Sequence, residues 1–403
     1  MIMAATDATD RTLRVSAAAS ALTPDELRRY SRHILLREVG VEGQQRLRSA
    51  RVAVVGLGGL GSPLALYLAA AGVGTLRLIE FDRVDASNLQ RQLLYATADV
   101  GRPKLEAARE RLQSVNPEVR LEGESERLSA ENAADLLAGV DVVCDGSDNF
   151  ATRYLVNDAS VKLGLPSVYG SILRFEGQVS VFWGARGPCY RCLFPQAPPV
   201  GTVPSCGEAG VLGVLPGVIG ALQATEALKL LLGIGDPLLG RLLLYDALRG
   251  RFRELALRKN PGCPICSAAP ESIVLVDEDT VCAVETPARE TPAGPDPELF
   301  DVEPREVAAW RAGGRALVLL DVRSPEEHAF TALGGSTLIP LPDLERRLGE
   351  LDPDAEIVVY CYYGPRSTYA TYLLRERGFA RAWNLAGGID AWSEDVDPAV
   401  VRY

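Results

Sequence analysis

Short apolar runs alternate with segments of helical period in the first half of the chain. Arg51–Val55, Thr75–Glu80 and Val140–Asp145 have the length and composition of buried strands, whereas Pro103–Val115 has helical spacing. Another helix is expected through Leu64–Ala69, directly after a glycine-rich loop. Strands that alternate with helices in this way predict a parallel sheet covered by helices on both faces.

The pattern changes further along the chain. Within Ile172–Trp183, the segment Gly177–Phe182 alternates between apolar and polar positions, which is typical of an antiparallel strand. The first sheet is therefore predicted to be mixed. Pro216–Leu232 is apolar with helical spacing, and Leu22–Leu47 is predicted to be a helical lead-in whose N-terminal cap begins at Thr23.

A second alternation of strands and helices fills the last quarter of the chain. Ala316–Asp321 and Glu356–Tyr360 are predicted strands, and Leu341–Leu348 and Arg366–Gly378 are predicted helices. The proline-rich stretch Glu285–Pro297 predicts an extended linker. We therefore expect two α/β domains, the first Rossmann-like and the second small, arranged as a disordered tail over residues 1–21, a first domain over 22–270, a linker over 271–297 and a second domain over 298–403.

Composition narrows the classes of function. The chain has 403 residues, 47% of them hydrophobic, which suits more than one globular core. Its net charge of -11 argues against nucleic-acid binding as the main role. We expect no membrane partner because no apolar run reaches membrane-spanning length, and residues 1–21 lack the core of a signal peptide. A cytoplasmic location is therefore expected.

A glycine motif marks a nucleotide site. Gly56-x-Gly58-x-x-Gly61 joins the strand at Arg51–Val55 to a helix, so backbone N–H groups and the helix N-terminus face bound phosphates. Glu80 ends the next strand, where an acidic side chain binds ribose hydroxyls. Taken alone, this motif is also typical of a nicotinamide-dependent dehydrogenase.

Further polar groups favour ATP over a dinucleotide. Asn88, Arg91 and Lys104 are suited to neutralising a triphosphate, and Asp148 is suited to holding magnesium. A dehydrogenase does not need so many phosphate contacts at its reacting end. A nicotinamide oxidoreductase therefore remains only as an alternative, which NADH binding without ATP–pyrophosphate exchange would favour.

The segment from Arg32 to about Ala269 resembles the MoeB/ThiF family, the bacterial relatives of ubiquitin-activating enzymes. The matching motifs are the glycine loop, Arg29–His33, Ser87–Arg91, Asp148-Asn149 and Arg174–Gln178. The resemblance implies that ATP and Mg²⁺ are used to adenylate the C-terminal glycine of a ubiquitin-like protein, in a homodimer, with Arg91 as a catalytic residue. It also implies that the ligands of ATP or magnesium include Arg32, reaching from a partner subunit, and Gly59, Glu80, Ser87, Asn88, Leu89, Gln90, Arg91, Lys104, Asp148 and Asn149. The family usually has aspartate where this chain has Glu80.

Four of the eight cysteines form two pairs. Cys189-x-x-Cys192 and Cys263-x-x-Cys266 each follow turn residues, and two such pairs suit tetrahedral Zn²⁺ bound by four thiolates. The long gap between the pairs predicts a structural metal that joins distant segments. A redox role for either pair is the alternative.

A separate cysteine lies in the glycine- and proline-rich loop 201–208. The MoeB/ThiF resemblance aligns Cys206 with the activating thiol of ubiquitin-activating enzymes, which implies a transient bond to the activated carrier protein. The alternative is a small buried residue without chemistry. Cys144 and Cys282 are predicted to be structural.

Cys361 follows the apolar strand Glu356–Tyr360 and precedes a helix. Loop N–H groups and the helix N-terminus are expected to converge on its sulfur, and Arg366 adds a positive charge, so that a thiolate and a persulfide are stabilised. The spacing Cys-x4-Arg is one residue shorter than a phosphatase loop. Val302–Tyr403 resembles a rhodanese sulfurtransferase domain, with its motifs at Asp321–Glu327 and Asn384–Trp392.

The whole chain resembles MoeZ-type fusions of a MoeB-like adenylyltransferase with a rhodanese. The resemblance implies adenylation of a sulfur-carrier protein that ends in Gly-Gly, followed by sulfur transfer from a Cys361 persulfide to form a thiocarboxylate. The sulfur donor is expected to be a persulfide or thiosulfate. The carrier's tail is expected in a groove near Arg174 and the loop after Cys192. An adenylation-only enzyme with a docking rhodanese domain is the second alternative.

Overall fold

A computed structural model describes residues 21–198, 210–277 and 300–402. The chain divides into two compact units. In described residues, the first unit is 21–197 with 210–277, and the second is 300–402 together with Pro198. Cys206, Cys282 and the proline-rich stretch Glu285–Pro297 lie outside the described residues.

The first unit follows the predicted alternation of strands and helices. Its elements in chain order are α1 (Pro24–Arg29), α2 (Ser31–Ile34), α3 (Gly40–Ser49), β1 (Arg51–Val55), α4 (Gly61–Ala71), β2 (Thr75–Ile79), α5 (Lys104–Val115), β3 (Arg120–Glu124), α6 (Ala133–Leu137), β4 (Val142–Asp145), α7 (Phe150–Lys162), β5 (Ser167–Leu173), β6 (Glu176–Phe182), α8 (Tyr190–Leu193), α9 (Leu215–Leu232), β7 (Arg241–Asp246) and β8 (Arg251–Ala256).

These strands form a mixed sheet in the order β3-β2-β1-β4-β5-β6-β7-β8. The first five are parallel, and β5 to β8 pair antiparallel, so the predicted switch at Gly177–Phe182 is confirmed. β1 and β4 are apolar except for Arg51 at the start of β1 and Asp145 at the end of β4, and all their residues but Arg51 are buried, as expected for strands covered on both faces. Because the parallel strands end at one edge, the loops after β1, β2 and β4 lie side by side.

The predicted helical lead-in over Leu22–Leu47 is confirmed, and it consists of the three helices α1, α2 and α3. The capping box between Thr23 and Glu26 starts α1 as expected, but the helix ends at Tyr30. The Tyr30 ring is buried against Gly72, where an added Cβ would lie 2.5 Å from it, and its hydroxyl accepts a 2.8 Å hydrogen bond from Asn116 Nδ2. Burying this side chain in the core turns the chain, and α3 restarts at Gly40 with φ of 60°.

The helix α9 corrects the expectation that no apolar run reaches membrane-spanning length. Its 18 residues are long and apolar enough to cross a membrane by length and composition, although we expected no such run. α9 contacts α4, β4, β5 and β6, so its apolar surface is packed inside the first unit.

The second unit is a smaller sheet of parallel strands. Its elements are β9 (Asp301–Val302), α10 (Pro304–Ala312), β10 (Val318–Asp321), α11 (Pro325–Phe330), β11 (Thr337–Leu338), α12 (Leu344–Arg347), β12 (Ile357–Tyr360), α13 (Pro365–Glu376), β13 (Ala382–Leu385) and α14 (Gly388–Asp395). The strand order is β11-β10-β12-β13-β9. The helix predicted near Leu341–Leu348 is confirmed as a run of short helical segments, in which 3₁₀ turns flank the four-residue α12.

Candidate functional site

Three glycines bring the loop after β1 against the loop after β4. A Cβ added to Gly61 would lie 1.9 Å from the Gly56 carbonyl oxygen, and one on Gly146 would lie 2.7 Å from the same atom. Gly56 itself has φ of 81°, which favours glycine. The backbone therefore turns tightly from β1 into α4, and the N-terminus of α4 opens at the sheet edge as the motif predicts.

Glu80 is buried and binds the glycine loop. Its Oε2 accepts a 2.8 Å hydrogen bond from the Leu57 N–H, and its Oε1 accepts one of 2.9 Å from the Asp82 N–H. The Tyr95 hydroxyl donates to the Leu57 carbonyl at 3.0 Å. Burial and the charge of Glu80 raise the pKa of Tyr95, so the phenol remains a donor. Tyr95 was missed from sequence, since nothing in its spacing links it to residue 57.

Lys104 begins α5 beside the same loop. Its side chain is buried, and its Nζ forms a 2.7 Å ion pair with the exposed Asp82 Oδ2. The N–H of Asp82 donates to Glu80, so Asp82 contacts Glu80 through its backbone and Lys104 through its side chain. The structure thereby brings together two predicted nucleotide ligands, through an aspartate that sequence reasoning did not select.

The segment Ser87–Arg91 comprises the end of a 3₁₀ helix and the turn that follows it. The Arg91 Nη1 donates to the Ser87 carbonyl at 2.9 Å, which fixes the guanidinium next to its own segment. A Cβ on Gly59 would lie 3.8 Å from Arg91 Cδ, and one on Gly213 would lie 2.3 Å from Gln90 Oε1. Gly59, Gln90 and Arg91 thus lie close to the chain that leads into α9. Asn88 and Leu89 are half-buried in the same turn.

Asp148 and Asn149 follow β4 at the adjacent position along the sheet edge. Asp148 is exposed, whereas Asn149 caps α7 by accepting a 2.9 Å hydrogen bond from the Thr152 N–H. The turn before them is held by Asp145, whose Oδ1 accepts from both the N–H and the hydroxyl of Ser147. Burial raises the pKa of Asp145 despite the opposing effects of Arg153 and Ser147.

Two predicted arginines lie apart from these contacts. Arg32 is exposed on α2, and within the described ranges its side chain makes no hydrogen bond to the glycine loop. Arg174 occupies the tip of the β5–β6 hairpin with φ of 54°, and its backbone pairs with Gly210 and Leu212. The hairpin places Arg174 at the carboxyl end of β5.

The two cysteine pairs meet at one point. The four sulfurs of Cys189, Cys192, Cys263 and Cys266 lie within 4.8 Å of one another, with separations of 3.4, 3.6 and 3.9 Å between three of the pairs. A tetrahedral zinc with Zn–S bonds of about 2.3 Å separates its sulfurs by about 3.8 Å. The Asn260 N–H points to Cys192 Sγ at 3.4 Å. Burial raises the pKa of Cys266 to about 11, whereas a positive metal bound at this point would stabilise the thiolate.

Cys361 is buried at the end of β12. Its sulfur accepts a 3.1 Å hydrogen bond from the Gly364 N–H and lies 3.4 Å from the Ser367 hydroxyl. Both groups belong to the loop and the first turn of α13, as expected from the sequence. They offer neutral donors to a thiolate or to a persulfide on this residue.

The loop is supported from behind by the N-terminus of α14. The N–H groups of Ile389 and Asp390 donate to the carbonyls of Cys361 and Tyr362. A Cβ on Gly388 would lie 2.3 Å from the Tyr362 carbonyl oxygen, which requires glycine there. The motif Asn384–Trp392 therefore supports the thiol loop rather than contacting its sulfur.

Arg366 is not an isolated charge. Its guanidinium binds both carboxylate oxygens of Glu327 at 2.9 and 2.8 Å, and both side chains are buried. From the sequence we expected Arg366 to add a positive charge beside the thiol, and we did not predict that Glu327 pairs with it. Glu327 lies in a motif that was matched to rhodaneses, yet its pairing depends on a contact between residues 39 positions apart.

Two protein-family models match the chain. The ThiF family matches residues 30–265, and the rhodanese-like domain matches residues 303–395. The first range contains the glycine loop and the cysteines Cys189, Cys192 and Cys263, and it ends one residue before Cys266. The second range contains the thiol loop.

Curated relatives extend this similarity over nearly the whole chain. The "Probable adenylyltransferase/sulfurtransferase MoeZ" of Mycobacterium tuberculosis is 46% identical over 96% of this chain and 97% of its own length. The "Adenylyltransferase and sulfurtransferase MOCS3" of Anopheles gambiae is 42% identical over 94% of this chain and 89% of its own length. The "Sulfur carrier protein adenylyltransferase" of Thermus thermophilus is 57% identical, covering 65% of this chain and 98% of its own length.

Solved structures agree with the fold of the first unit. PaaA has a TM-score of 0.52 and 25% identity, covering 61% of this chain and 77% of its own. Escherichia coli MccB bound to MccA-N7isoASN has a TM-score of 0.54 and 22% identity, covering 59% and 74%, and shows the fold alone. From the family match and these relatives, the chain belongs to the ThiF family and carries a rhodanese-like domain after its ThiF domain.

Proposed function

We propose that this protein activates the C-terminal glycine of a ubiquitin-like sulfur-carrier protein with ATP and then transfers sulfur to it. It is an adenylyltransferase and sulfurtransferase. The observation that carries this proposal is the presence, in one chain, of a glycine loop bound by Glu80 and a buried thiol bound by loop donors. The relatives that share both domains have names that combine the same two activities.

The first stage joins the carrier's carboxylate to the α-phosphorus of ATP and releases pyrophosphate. The carboxylate is already ionised, so the protein supplies position and charge rather than a general base. Phosphates would lie at the N-terminus of α4 near Gly59 and Arg91, with the ribose at Glu80 and Mg²⁺ at Asp148. Ser87, Asn88, Leu89, Gln90, Lys104 and Asn149 complete the proposed nucleotide ligands.

We further propose a homodimer in which Arg32 of one subunit reaches the phosphates held by the other. Its exposure on α2 is compatible with a partner approaching that face. The carrier's tail would pass Arg174 at the carboxyl edge of the sheet. A reaction that consumes ATP fits the cytoplasmic location expected from the sequence.

The four-cysteine cluster would bind one Zn²⁺ in a closed, structural site. Sulfur separations near those of a tetrahedral ZnS₄ centre support this assignment. The four thiolates would leave no position for a substrate, so the metal joins the chain around α8 to the loop at Cys263–Cys266.

The second stage uses a persulfide on Cys361. Its terminal sulfur attacks the acyl carbon of the adenylate, AMP leaves, and an acyl disulfide joins the carrier to Cys361. A thiolate then attacks the Cys361 sulfur, and the carrier leaves as a thiocarboxylate while a new disulfide forms. We propose Cys206 as that thiol, and an external thiol reduces the disulfide afterwards.

Two measurements test the function. The purified protein should exchange labelled pyrophosphate into ATP when a carrier ending in Gly-Gly is present. With ATP, thiosulfate or a persulfide added, mass spectrometry should show one carboxyl oxygen of the carrier replaced by sulfur. Absence of exchange with every carrier offered would refute adenylation, and exchange without sulfur incorporation would support the docking alternative.

A further inference from the structure

Arg366 lies between the two residues that contact the Cys361 sulfur, Gly364 and Ser367. Its guanidinium nevertheless pairs with the Glu327 carboxylate through two hydrogen bonds, and both side chains are more than nine-tenths buried. Glu327 is anchored in turn by the capping box of α11, since its Oε2 accepts from the Ser324 N–H at 2.9 Å. A buried bidentate pair of this kind is rigid, and its two charges cancel at a distance.

A second carboxylate that contacts the thiol loop, that of Asp390, is also paired with an arginine. The Tyr362 hydroxyl donates to Asp390 Oδ1 at 3.2 Å, and the Asp390 carboxylate binds the Arg402 guanidinium at 2.7 and 2.8 Å. The groups that contact the sulfur are a neutral amide and a neutral hydroxyl. In the described part of the second unit, the thiol loop therefore combines neutral sulfur ligands with paired charges.

We propose that Glu327 determines the donor preference of the thiol loop by neutralising Arg366, which disfavours thiosulfate relative to a persulfide. This inference rests on the sulfur transfer proposed above. With thiosulfate, the Cys361 thiolate attacks the outer sulfur, the S–S bond to the sulfonate breaks, and sulfite leaves with the electron pair. With a persulfide, the thiolate attacks the terminal sulfur and the donor leaves as a thiolate.

Both reactions leave the same persulfide on Cys361, but they differ in charge. The transition state with thiosulfate gathers more negative charge than the one with a persulfide. A cation beside the loop stabilises this extra negative charge strongly only when no carboxylate already neutralises the cation. Glu327 removes this stabilisation, and so it acts as a specificity-determining residue that does not touch the reacting sulfur.

The test is Glu327→Gln in the full-length protein. Glutamine keeps the length and one oxygen, which can still accept from Arg366 Nη1 and from the Ser324 N–H. The negative charge and the hydrogen bond from Arg366 Nη2 are lost. The rate at which Cys361 gains one sulfur is measured by intact-protein mass spectrometry with thiosulfate and, separately, with glutathione persulfide. We expect thiosulfate loading to rise by roughly tenfold and persulfide loading to change by less than roughly twofold.

Changes in ionic strength and matched variants distinguish an electrostatic effect of Glu327→Gln from a structural one. The gain with thiosulfate should shrink as ionic strength rises, because dissolved ions weaken the attraction between the Arg366 charge and the approaching thiosulfate. Glu326→Gln, an exposed neighbour on α11, should change neither rate, and Glu327→Gln combined with Arg366→Gln should cancel the gain. An unchanged or lower thiosulfate rate, or a parallel fall with both donors, would overturn the proposal. If neither donor loads the wild-type protein, the sulfur-transfer function itself is overturned.

Discussion

At the scale of single residues, the glycine loop leaves no room for a side chain at Gly61. A Cβ there would overlap the Gly56 carbonyl oxygen at 1.9 Å, a backbone atom that cannot move without opening the loop. The same carbonyl lies against Gly146, so any shift of it also disturbs the end of β4. The motif is therefore a packing requirement at its third glycine as well as a phosphate site.

We expect Gly61→Ala to lower the free energy of unfolding by about 2 kcal/mol or more and to abolish ATP–pyrophosphate exchange. Urea unfolding and the exchange assay measure the two effects. Gly217 on α9 provides the control, since no atom lies within 4 Å of its added Cβ and alanine favours helix. Gly217→Ala should preserve stability and exchange, and a stable, active Gly61→Ala would contradict the packing argument.

Residue types predicted the chemistry better than they predicted the contacts. Gly56, Glu80 and Cys361 lie where their motifs indicate, because each motif is local and tied to the end of a strand. The pairs Lys104–Asp82 and Arg366–Glu327 were not predicted, although they set the charge of both sites. Such pairs depend on how loops from separate strands meet at the sheet edge, which local spacing does not encode.

At the scale of elements, the cysteine cluster joins two segments of the first unit that are far apart in sequence. α8 starts directly after Cys189, and Arg191 within it forms a buried pair with Asp158 on α7. Cys263 and Cys266 lie in a loop without regular structure beyond β8. The loop has no strand or helix of its own, so a metal bound by the four cysteines would connect it to α8.

Cys263→Ser should therefore reduce bound zinc to a small fraction of the wild-type amount and lower the Tm of the first unit by roughly 5 °C or more. Elemental analysis and calorimetry measure these changes. The exposed Ser267→Ala, one residue beyond the cluster, should leave zinc and Tm unchanged. Full zinc retention in Cys263→Ser would count against the site. Loss of the zinc should not slow sulfur loading of Cys361, because Cys361 lies in the other unit.

At the scale of the whole molecule, each unit has its own sheet, its own core and its own reactive edge. Sequence periodicity predicted both sheets, because alternating strands and helices are a strong pattern. It also predicted helical segments near Leu22–Leu47 and Leu341–Leu348, but not their division into several short helices. In the proposed reaction the carrier links the chemistry of the two edges, because it receives AMP at one and sulfur at the other.

The two half-reactions should consequently be separable by mutation. Cys361→Ala should retain wild-type ATP–pyrophosphate exchange but form no thiocarboxylate, because the acyl-adenylate forms before any persulfide is needed. Arg91→Ala should lose exchange by roughly a hundredfold or more, as expected for removal of a charge that stabilises the transition state. The same variant should still load sulfur onto Cys361 at the wild-type rate.

Mixing the two purified variants with carrier and ATP then distinguishes two arrangements. Restored thiocarboxylate would mean that the carrier, or a subunit of an assembly, brings separate chains together, whereas no restoration would mean that one chain must perform both steps. Loss of exchange in Cys361→Ala would contradict the independence of the two edges.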